Sequence, residues 1–197
     1  MAQPVQKFET LTYAEAKAIE DASDERHIFW DGVFYAMAGA TYAHYELAAN
    51  LLGELYAGLR GTTCRPLGSD MRLRPLEGER FFYADVVVRC GPPVFHPEDE
   101  LALTNPTAVF EVLSPSTERF DRTEKFAVYR EMPSVQLIVF LRSDVVHVER
   151  YERTEGGWVV TTFGPDDALK VLSATLSVAD LYRDVALTPA TKDTVNS

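Results

Sequence analysis

The alternation of hydrophobic and polar positions predicts three elements in the first third of the chain. Leucines recur every four residues through one long stretch, which is typical of an amphipathic helix packed on a sheet. Asp31-Gly32 stands between two apolar runs, and this dipeptide favours a type I′ hairpin turn. The predicted elements are a helix over 11–19 capped by Thr12, a hairpin with strands 27–30 and 33–37, and a helix over 41–60.

The remaining two thirds are dominated by short apolar runs, which predict strands. The predicted strands are 62–66, 69–74, the run 80–90, 108–113, 135–141, 145–151, 158–163 and 169–172, with helices from about 119 to 130 and over 178–182. The strands 135–141, 145–151 and 158–163 are expected to form an antiparallel meander. Residues 91–104 are expected to be a loop, with 97–100 solvated, and Arg72 and Arg74 to line a solvated strand face or a small phosphate-facing strip.

This pattern predicts an α/β fold with a central mixed β-sheet flanked by helices, an N-terminal hairpin and a C-terminal meander. The length of 197 residues suits a single domain, which we place at residues 1–187, followed by a polar tail at 188–197.

Charge and composition limit the possible partners. The 19 basic residues are outnumbered by 30 acidic ones, so a broad electropositive surface for nucleic acid is not expected, and binding to DNA would need a local patch or a metal ion. No apolar stretch approaches the roughly 20 residues of a membrane span, and the first seven residues lack a signal-peptide core. We therefore expect a cytoplasmic protein without a membrane partner. Cys64 and Cys90 are expected to be buried free thiols, since no zinc-ligand spacing is present.

Two acids inside apolar runs are the candidate chemistry. Asp85 enters the run Val86–Val88, and Glu111 lies within Ala108–Leu113, although an acid is rarely buried unless it is paired or binds a metal. On neighbouring strands they would form a two-carboxylate site for Mg²⁺, or Mn²⁺ in its place, with the backbone carbonyl of Val112 as a further oxygen ligand.

A lysine follows on the next predicted helix. Asp121, Lys125 and Tyr129 are spaced by four residues and therefore share one helix face. Lys125 would lie near an attacking water or phosphate, with burial and a nearby metal lowering the pKa of its amine. The alternative is a solvated lysine paired only with Asp121.

Two further residues, His44 and Asp70, lie earlier in the chain and are candidates for supporting the two acids. His44 lies one turn before Leu47 on the long helix, so its ring could reach the strand ends, or could remain half-exposed as an ordinary first-turn histidine. Asp70 opens its predicted strand much as Asp85 opens the next one.

The run from Phe110 to Thr117, followed by Asp121-Arg122 and Glu124-Lys125-Phe126, resembles the Uma-type restriction endonuclease family of the PD-(D/E)xK nuclease superfamily. Further matching positions are Leu11–Tyr13, Asp31-Gly32, Met37–Ala40, His44, Asn50-Leu51, Ser69-Asp70, Asp85–Val88 and Leu181-Tyr182.

The resemblance implies a restriction-endonuclease-like core and Asp85 and Glu111 as Mg²⁺ ligands. Two positions depart from the superfamily pattern. The usual lysine two residues after the glutamate is Leu113 here, so the amine would come from Lys125, and the usual proline before the aspartate is Ala84. His44, Asp70 and Asp121 are candidates for residues that contact the metal ligands without binding the ion themselves.

Three hypotheses about function follow. The first is a Mg²⁺-dependent endonuclease that hydrolyses phosphodiester bonds of DNA, and the second is a non-catalytic interaction or regulatory module on the same fold. A third is a glycosidase using the carboxylate pair, in which Lys125 would have no part. A homodimer formed through the hairpin or the free edge of the meander would present two sites to a duplex.

Overall fold

A computed structural model describes residues 10–37 and 39–187 of the chain. The predictions for the first seven residues, for Ala38 within the matching run Met37–Ala40, and for the tail at 188–197 lie outside the described residues.

The helices begin and end close to the predicted boundaries. They are α1 Tyr13–Ala22, α2 Tyr42–Gly58, α3 Glu118–Phe120, α4 Phe126–Glu131 and α5 Val178–Leu181, with a π-helical turn Asp121–Lys125 joining α3 to α4. Thr12 caps α1 as predicted, and its side chain and that of Glu15 each accept a hydrogen bond from the other's backbone N–H. Among the described residues, no helix combines the length and the apolar character needed to cross a membrane.

The strands number more than the sequence predicts. They are β1 His27–Trp30, β2 Val33–Ala36, β3 Cys64–Leu67, β4 Arg72–Leu73, β5 Arg80–Tyr83, β6 Val86–Cys90, β7 Phe95–His96, β8 Asp99–Leu103, β9 Ala108–Leu113, β10 Leu137–Arg142, β11 Val148–Thr154, β12 Gly157–Phe163, β13 Ala168–Val171 and β14 Ala174–Ser177. The hairpin β1–β2 is confirmed, and both turn residues have the positive φ that a type I′ turn needs, 47° at Asp31 and 88° at Gly32.

The described strands form two six-stranded sheets and a separate hairpin, β13–β14. The main sheet has the order β12-β11-β10-β9-β6-β3, in which β9 and β10 are parallel and the other pairs are antiparallel. The second sheet has the order β2-β1-β5-β4-β8-β7. The mixed α/β class and the meander β10–β12 are therefore confirmed, while the second large sheet was not predicted.

Hydrophobic side chains cover both faces of the main sheet. On one face, Leu47, Leu51 and Leu55 of α2 are fully buried against alternate residues of β9 such as Phe110. On the other face, α4 packs through Tyr129, together with side chains of the second sheet. Strand β9 lies between these two hydrophobic layers, and all six of its residues are buried.

The apolar run 80–90 is two strands rather than one. Strand β5 belongs to the second sheet and β6 to the main sheet, and Ala84-Asp85 carries the chain between them. Asp85 therefore enters β6 as predicted, but from a different sheet.

The prediction of a loop at 91–104 was wrong, because this segment forms β7 and β8. Pro97, Glu98 and Glu100 are exposed as predicted. Asp99, however, is 1% exposed, and it accepts hydrogen bonds from Tyr13 at 2.6 Å and from Arg72 at 3.0 Å. Arg72 and Arg74 are likewise buried, and Arg74 pairs with Glu98 at 2.8 Å. Strand alternation could not reveal these partners, because the paired residues are distant in sequence.

Cys64 and Cys90 form a disulfide, so the expectation of free thiols was wrong. They are direct partners in the β3–β6 register, which the sequence alone does not specify.

Candidate active site

Asp85 lies where β6 begins, opposite the middle of β9. The pairing of Val86 with Phe110 continues by one position to place Asp85 opposite Glu111. Its Oδ2 accepts a hydrogen bond from the N–H of Val112 at 2.6 Å, and its Oδ1 is 2.9 Å from Nε2 of His44. The carboxylate is thereby fixed against the main sheet.

Glu111 is buried in the centre of the main sheet, with 2% of its surface exposed. It points to the face that also carries Val109 and Leu113, where the helix after the strand packs. Its Oε1 accepts hydrogen bonds from Nζ of Lys125 at 3.0 Å and from the hydroxyl of Tyr129 at 2.5 Å. No hydrogen bond to Oε2 is present among the described residues.

The π-helical turn brings Asp121 and Lys125 inward together. Both side chains are about 5% exposed, at 5% and 6%, and Nζ of Lys125 lies 3.0 Å from Oδ1 of Asp121. A single π turn inside an α-helix widens the helix locally and is frequent at functional sites. Lys125 is therefore not the solvated lysine of the alternative hypothesis, although its predicted contact with Asp121 exists.

His44 approaches the same place from the opposite face of the sheet. Thr41 caps α2, and His44 follows in its first turn with a side chain that is 13% exposed. The contact with Asp85 confirms that the ring reaches the strand ends. Its Nδ1 is buried without a hydrogen-bond partner in the described part of the chain.

The charges of the site do not balance. Asp85, Glu111 and Asp121 face the single ammonium of Lys125, so full ionisation would leave an excess of negative charge. The pKa of Glu111 is raised to about 8 as the net result of several effects. Burial is the largest and raises it, Lys125 lowers it, Asp121 and Asp85 raise it, and the hydrogen bond from Tyr129 lowers it.

The amine of Lys125 remains charged. Burial alone lowers its pKa, but Glu111, Asp121 and Asp85 more than offset this effect, so the pKa lies above the ordinary value. In the metal-free protein the expected lowering does not occur.

The oxygen atoms at this point suit a hard divalent cation. Among the described residues, no three His, Cys, Asp or Glu side chains are grouped as metal ligands. Mg²⁺, however, commonly takes only one or two carboxylates and keeps several waters. In a β-strand the N–H and C=O of one residue point to the same side. Because the N–H of Val112 donates to Asp85, the carbonyl of Val112 also faces the side of Asp85.

The predicted site residue Asp70 does not lie at the site, and the contact of Tyr129 with Glu111 was not predicted. Asp70 lies in a turn with its side chain 84% exposed, where it pairs with Arg26 at 3.4 Å. Tyr129 was noted only for sharing a face with Lys125, yet its hydroxyl binds Glu111. The spacing of four between Lys125 and Tyr129 was the signal that pointed to it.

Comparison with known proteins places the chain in a family. The model of the Uma2 family, described as "Putative restriction endonuclease", matches residues 6–186. The chain belongs to the Uma2 family. The resemblance noted from the sequence is thus confirmed.

Two uncharacterized proteins of Synechocystis sp. strain PCC 6803 are similar to this Uma2 chain along most of their length. One, slr1290, is 31% identical over 186 residues, covering 93% of this chain and 97% of its own. The other, sll1609, is 33% identical over 159 residues, covering 80% and 90%.

A solved structure shares the fold. The crystal structure of a putative nuclease belonging to DUF820 from Anabaena variabilis superimposes with a TM-score of 0.71 at 16% identity, covering 87% of this chain and 97% of the other. The restriction-endonuclease-like core predicted for this Uma2 protein is therefore confirmed. Where the superfamily pattern has its lysine, this chain has the buried Leu113, and an amine reaches Glu111 from Lys125 instead.

Proposed function

We propose that this protein is a divalent-metal-dependent endonuclease that hydrolyses phosphodiester bonds of DNA. The observation that carries the proposal is the convergence of two acids from neighbouring strands with an amine from the following helix. Lys125 donates to Glu111 at 3.0 Å, and Asp85 lies opposite Glu111 in the sheet register. This contact between the amine and an acid favours a nuclease over a glycosidase, whose carboxylate pair needs no lysine.

Asp85, Glu111 and the carbonyl of Val112 would hold Mg²⁺, or Mn²⁺ in its place. When bound, the ion would polarise a water molecule and stabilise negative charge on the phosphate. The excess negative charge of the site supports this assignment. Burial is the main cause of the raised pKa of Glu111, and repulsion from Asp121 and Asp85 adds to it, so a divalent cation would relieve that repulsion.

The protein's own groups would position the reactants. The Tyr129 hydroxyl and the Lys125 ammonium hold one oxygen of Glu111, which leaves the other oxygen for a ligand. Asp85 is held at both oxygens, since the N–H of Val112 donates to Oδ2 and Nε2 of His44 lies 2.9 Å from Oδ1. Lys125, charged and almost fully buried, would stabilise the added negative charge of the transition state and orient the attacking water by hydrogen bonding.

The test is cleavage of a supercoiled plasmid with Mg²⁺, Mn²⁺ or EDTA. We expect cleavage only with a metal, and its loss in Glu111→Gln and Asp85→Asn. Glu152→Gln is the matched control, since Glu152 lies on β11 with its side chain 51% exposed. If wild-type protein cuts nothing with either metal, and neither site variant weakens Mn²⁺ binding in calorimetry, the endonuclease proposal fails and the non-catalytic module becomes the better explanation.

We further propose that two copies pair along β12. This seven-residue strand is one of the two outer strands of the main sheet in the described chain and carries no charged residue, with Val159 and Val160 both 53% exposed. An uncharged edge is the surface on which a chain of net charge −11 repels a second copy least. Light scattering on Val160→Lys tests the pairing, and an unchanged mass relative to wild type would contradict it.

A further inference from the structure

Three arginines at one edge of the main sheet lack acidic partners. Most other buried or half-buried arginines in the described chain, such as Arg72 and Arg122, are paired with carboxylates, and the half-buried Arg153 donates to backbone oxygens instead. Arg60, Arg65 and Arg89 make no ion pair with any described acid. In a chain with 30 acidic residues, this local excess of positive charge stands out from the rest of the surface.

The sheet register brings two of these arginines together. Arg65 on β3 is the direct antiparallel partner of Arg89 on β6, and like charges in such a pair repel. The guanidinium of Arg65 is turned to the backbone oxygens of Thr62 and Cys64, at 2.9 Å each. Arg89 has no such partner, and its buried Nε donates to no acceptor in the described chain. An anion placed here would relieve the repulsion and satisfy that donor.

Arg60 extends the patch around the end of α2. It lies just past the helix and lines a shallow surface depression together with Arg65 and the exposed ring of Tyr56. Its guanidinium makes no hydrogen bond within the described chain, so nothing in the fold requires its charge.

Arg89 lies on β6, the strand that Asp85 immediately precedes. Val87 and Arg89 point to the same face of the main sheet, and Val87 packs with Val109 on the face where Glu111 lies. Four residues of strand separate Asp85 from Arg89, or about 13 Å at roughly 3.3 Å per residue. At 3.4 Å of helix axis per base pair, this distance corresponds to about four base pairs of duplex.

We propose that Arg60, Arg65 and Arg89 bind the phosphodiester backbone of a polynucleotide about four base pairs from the bond that the candidate site would cleave. The inference rests on the proposed function for the identity of the polyanion. Local contacts of this kind would offset the repulsion between DNA and a chain of net charge −11.

The test measures binding without cleavage. Fluorescence anisotropy with a labelled duplex in Ca²⁺ or EDTA, over a range of salt concentrations, gives both affinity and salt slope. For Arg60→Ala/Arg89→Ala we expect at least a tenfold loss of affinity at low salt. The slope of log K against log salt should become shallower by about 2, since each lost phosphate contact removes about 0.9. Arg183→Ala is the matched control, because Arg183 is 61% exposed and already paired with Asp180. It should change neither quantity.

A small substrate separates this inference from the proposed function. Hydrolysis of bis(p-nitrophenyl) phosphate with Mn²⁺ depends on the candidate site alone, so the arginine variants should leave it unchanged. Loss of DNA binding with unchanged hydrolysis of the small diester supports the patch, and loss of DNA binding in an inactive protein supports the patch while refuting the nuclease proposal.

Three results would overturn the patch. The first is unchanged affinity and salt slope in the folded double variant, and the second is absence of DNA binding by the wild type. The third is displacement of the duplex by inorganic phosphate at constant ionic strength, which would indicate a site for free phosphate. Thermal melting verifies folding, and Arg60→Ala alone serves if the double variant unfolds, with a loss of about one unit of slope expected.

Discussion

Replacing Glu111 by Gln should change how the stability of the metal-free protein depends on pH. The carboxyl of Glu111 has a pKa of about 8 in the folded protein because it is buried beside Asp121 and Asp85, against an ordinary value of 4.5. Between these values the folded protein binds a proton that the unfolded chain does not. Stability therefore falls as pH rises from about 4.5 toward 8. Gln has nearly the same shape, can accept from Lys125 through its amide oxygen, and does not titrate.

The difference between the two proteins cancels the titrating groups that lie away from the site, because these are common to both, and leaves the contribution of Glu111 and its coupling to its neighbours. Each unit of pKa shift corresponds to about 1.4 kcal/mol, so raising the pH from about 5.5 to 7.5 should cost the wild type about 2–3 kcal/mol relative to Glu111→Gln. At about 2–4 °C per kcal/mol for a chain of this size, the two melting temperatures should diverge by roughly 5–10 °C. Thermal melting in EDTA, followed by circular dichroism, measures this difference.

Divalent metal should reverse the effect only in the wild type. An ion that binds the folded state stabilises it in proportion to its occupancy, and Glu111→Gln would lose that ligand. Parallel pH profiles for the two proteins in EDTA would refute the reasoning, because they would mean that Glu111 is ionised in the folded protein without cost.

Three further predictions concern stability. Lys125→Met leaves buried carboxylates without their cation and should destabilise the protein by about 3–5 kcal/mol in urea unfolding at neutral pH, and by less in acid; an equal loss at both pH values would contradict this. Arg72→Ala leaves the buried carboxylate of Asp99 without its cation and should also destabilise the protein by about 3–5 kcal/mol. A loss of stability no larger than that caused by replacing an exposed arginine would refute this. Reduction of the Cys64–Cys90 disulfide, whose partners are 26 residues apart, should cost about 3–4 kcal/mol by the loop-entropy estimate, and unchanged urea unfolding would argue against it.

The elements that the sequence predicted well are those specified by neighbouring residues. The capping box at Thr12, the Asp31-Gly32 turn and the leucine stripe of α2 each depend on contacts within a few positions, so their patterns are visible along the chain. The two acids of the candidate site were predictable for a related reason. A carboxylate inside an apolar strand conflicts with its surroundings, and such conflicts mark functional sites.

What the sequence could not predict depends on distant partners. Asp99 lies 86 positions from Tyr13 and 27 from Arg72, so its burial follows only from the assembled second sheet. The same holds for the disulfide, which requires the β3–β6 register. Arg72, Arg74 and Asp99 appear solvated in the sequence pattern, but they are buried in the folded protein because their charged partners come from distant parts of the chain.

The candidate site arises from the place where one sheet stops and the other begins. Strand β6 starts at Val86, so on that side Val112 has no strand residue opposite it to receive its backbone bonds. Asp85, which belongs to neither ladder, takes the N–H with its side chain and leaves the carbonyl facing the same space. Two residues before Asp85, the chain is anchored in the second sheet by Tyr83, whose hydroxyl donates to the buried Glu20 at 2.7 Å. A single continuous strand over 80–90 would have paired these backbone groups and removed the oxygen that a cation needs, so the interruption that the sequence pattern concealed is what makes the proposed metal site possible.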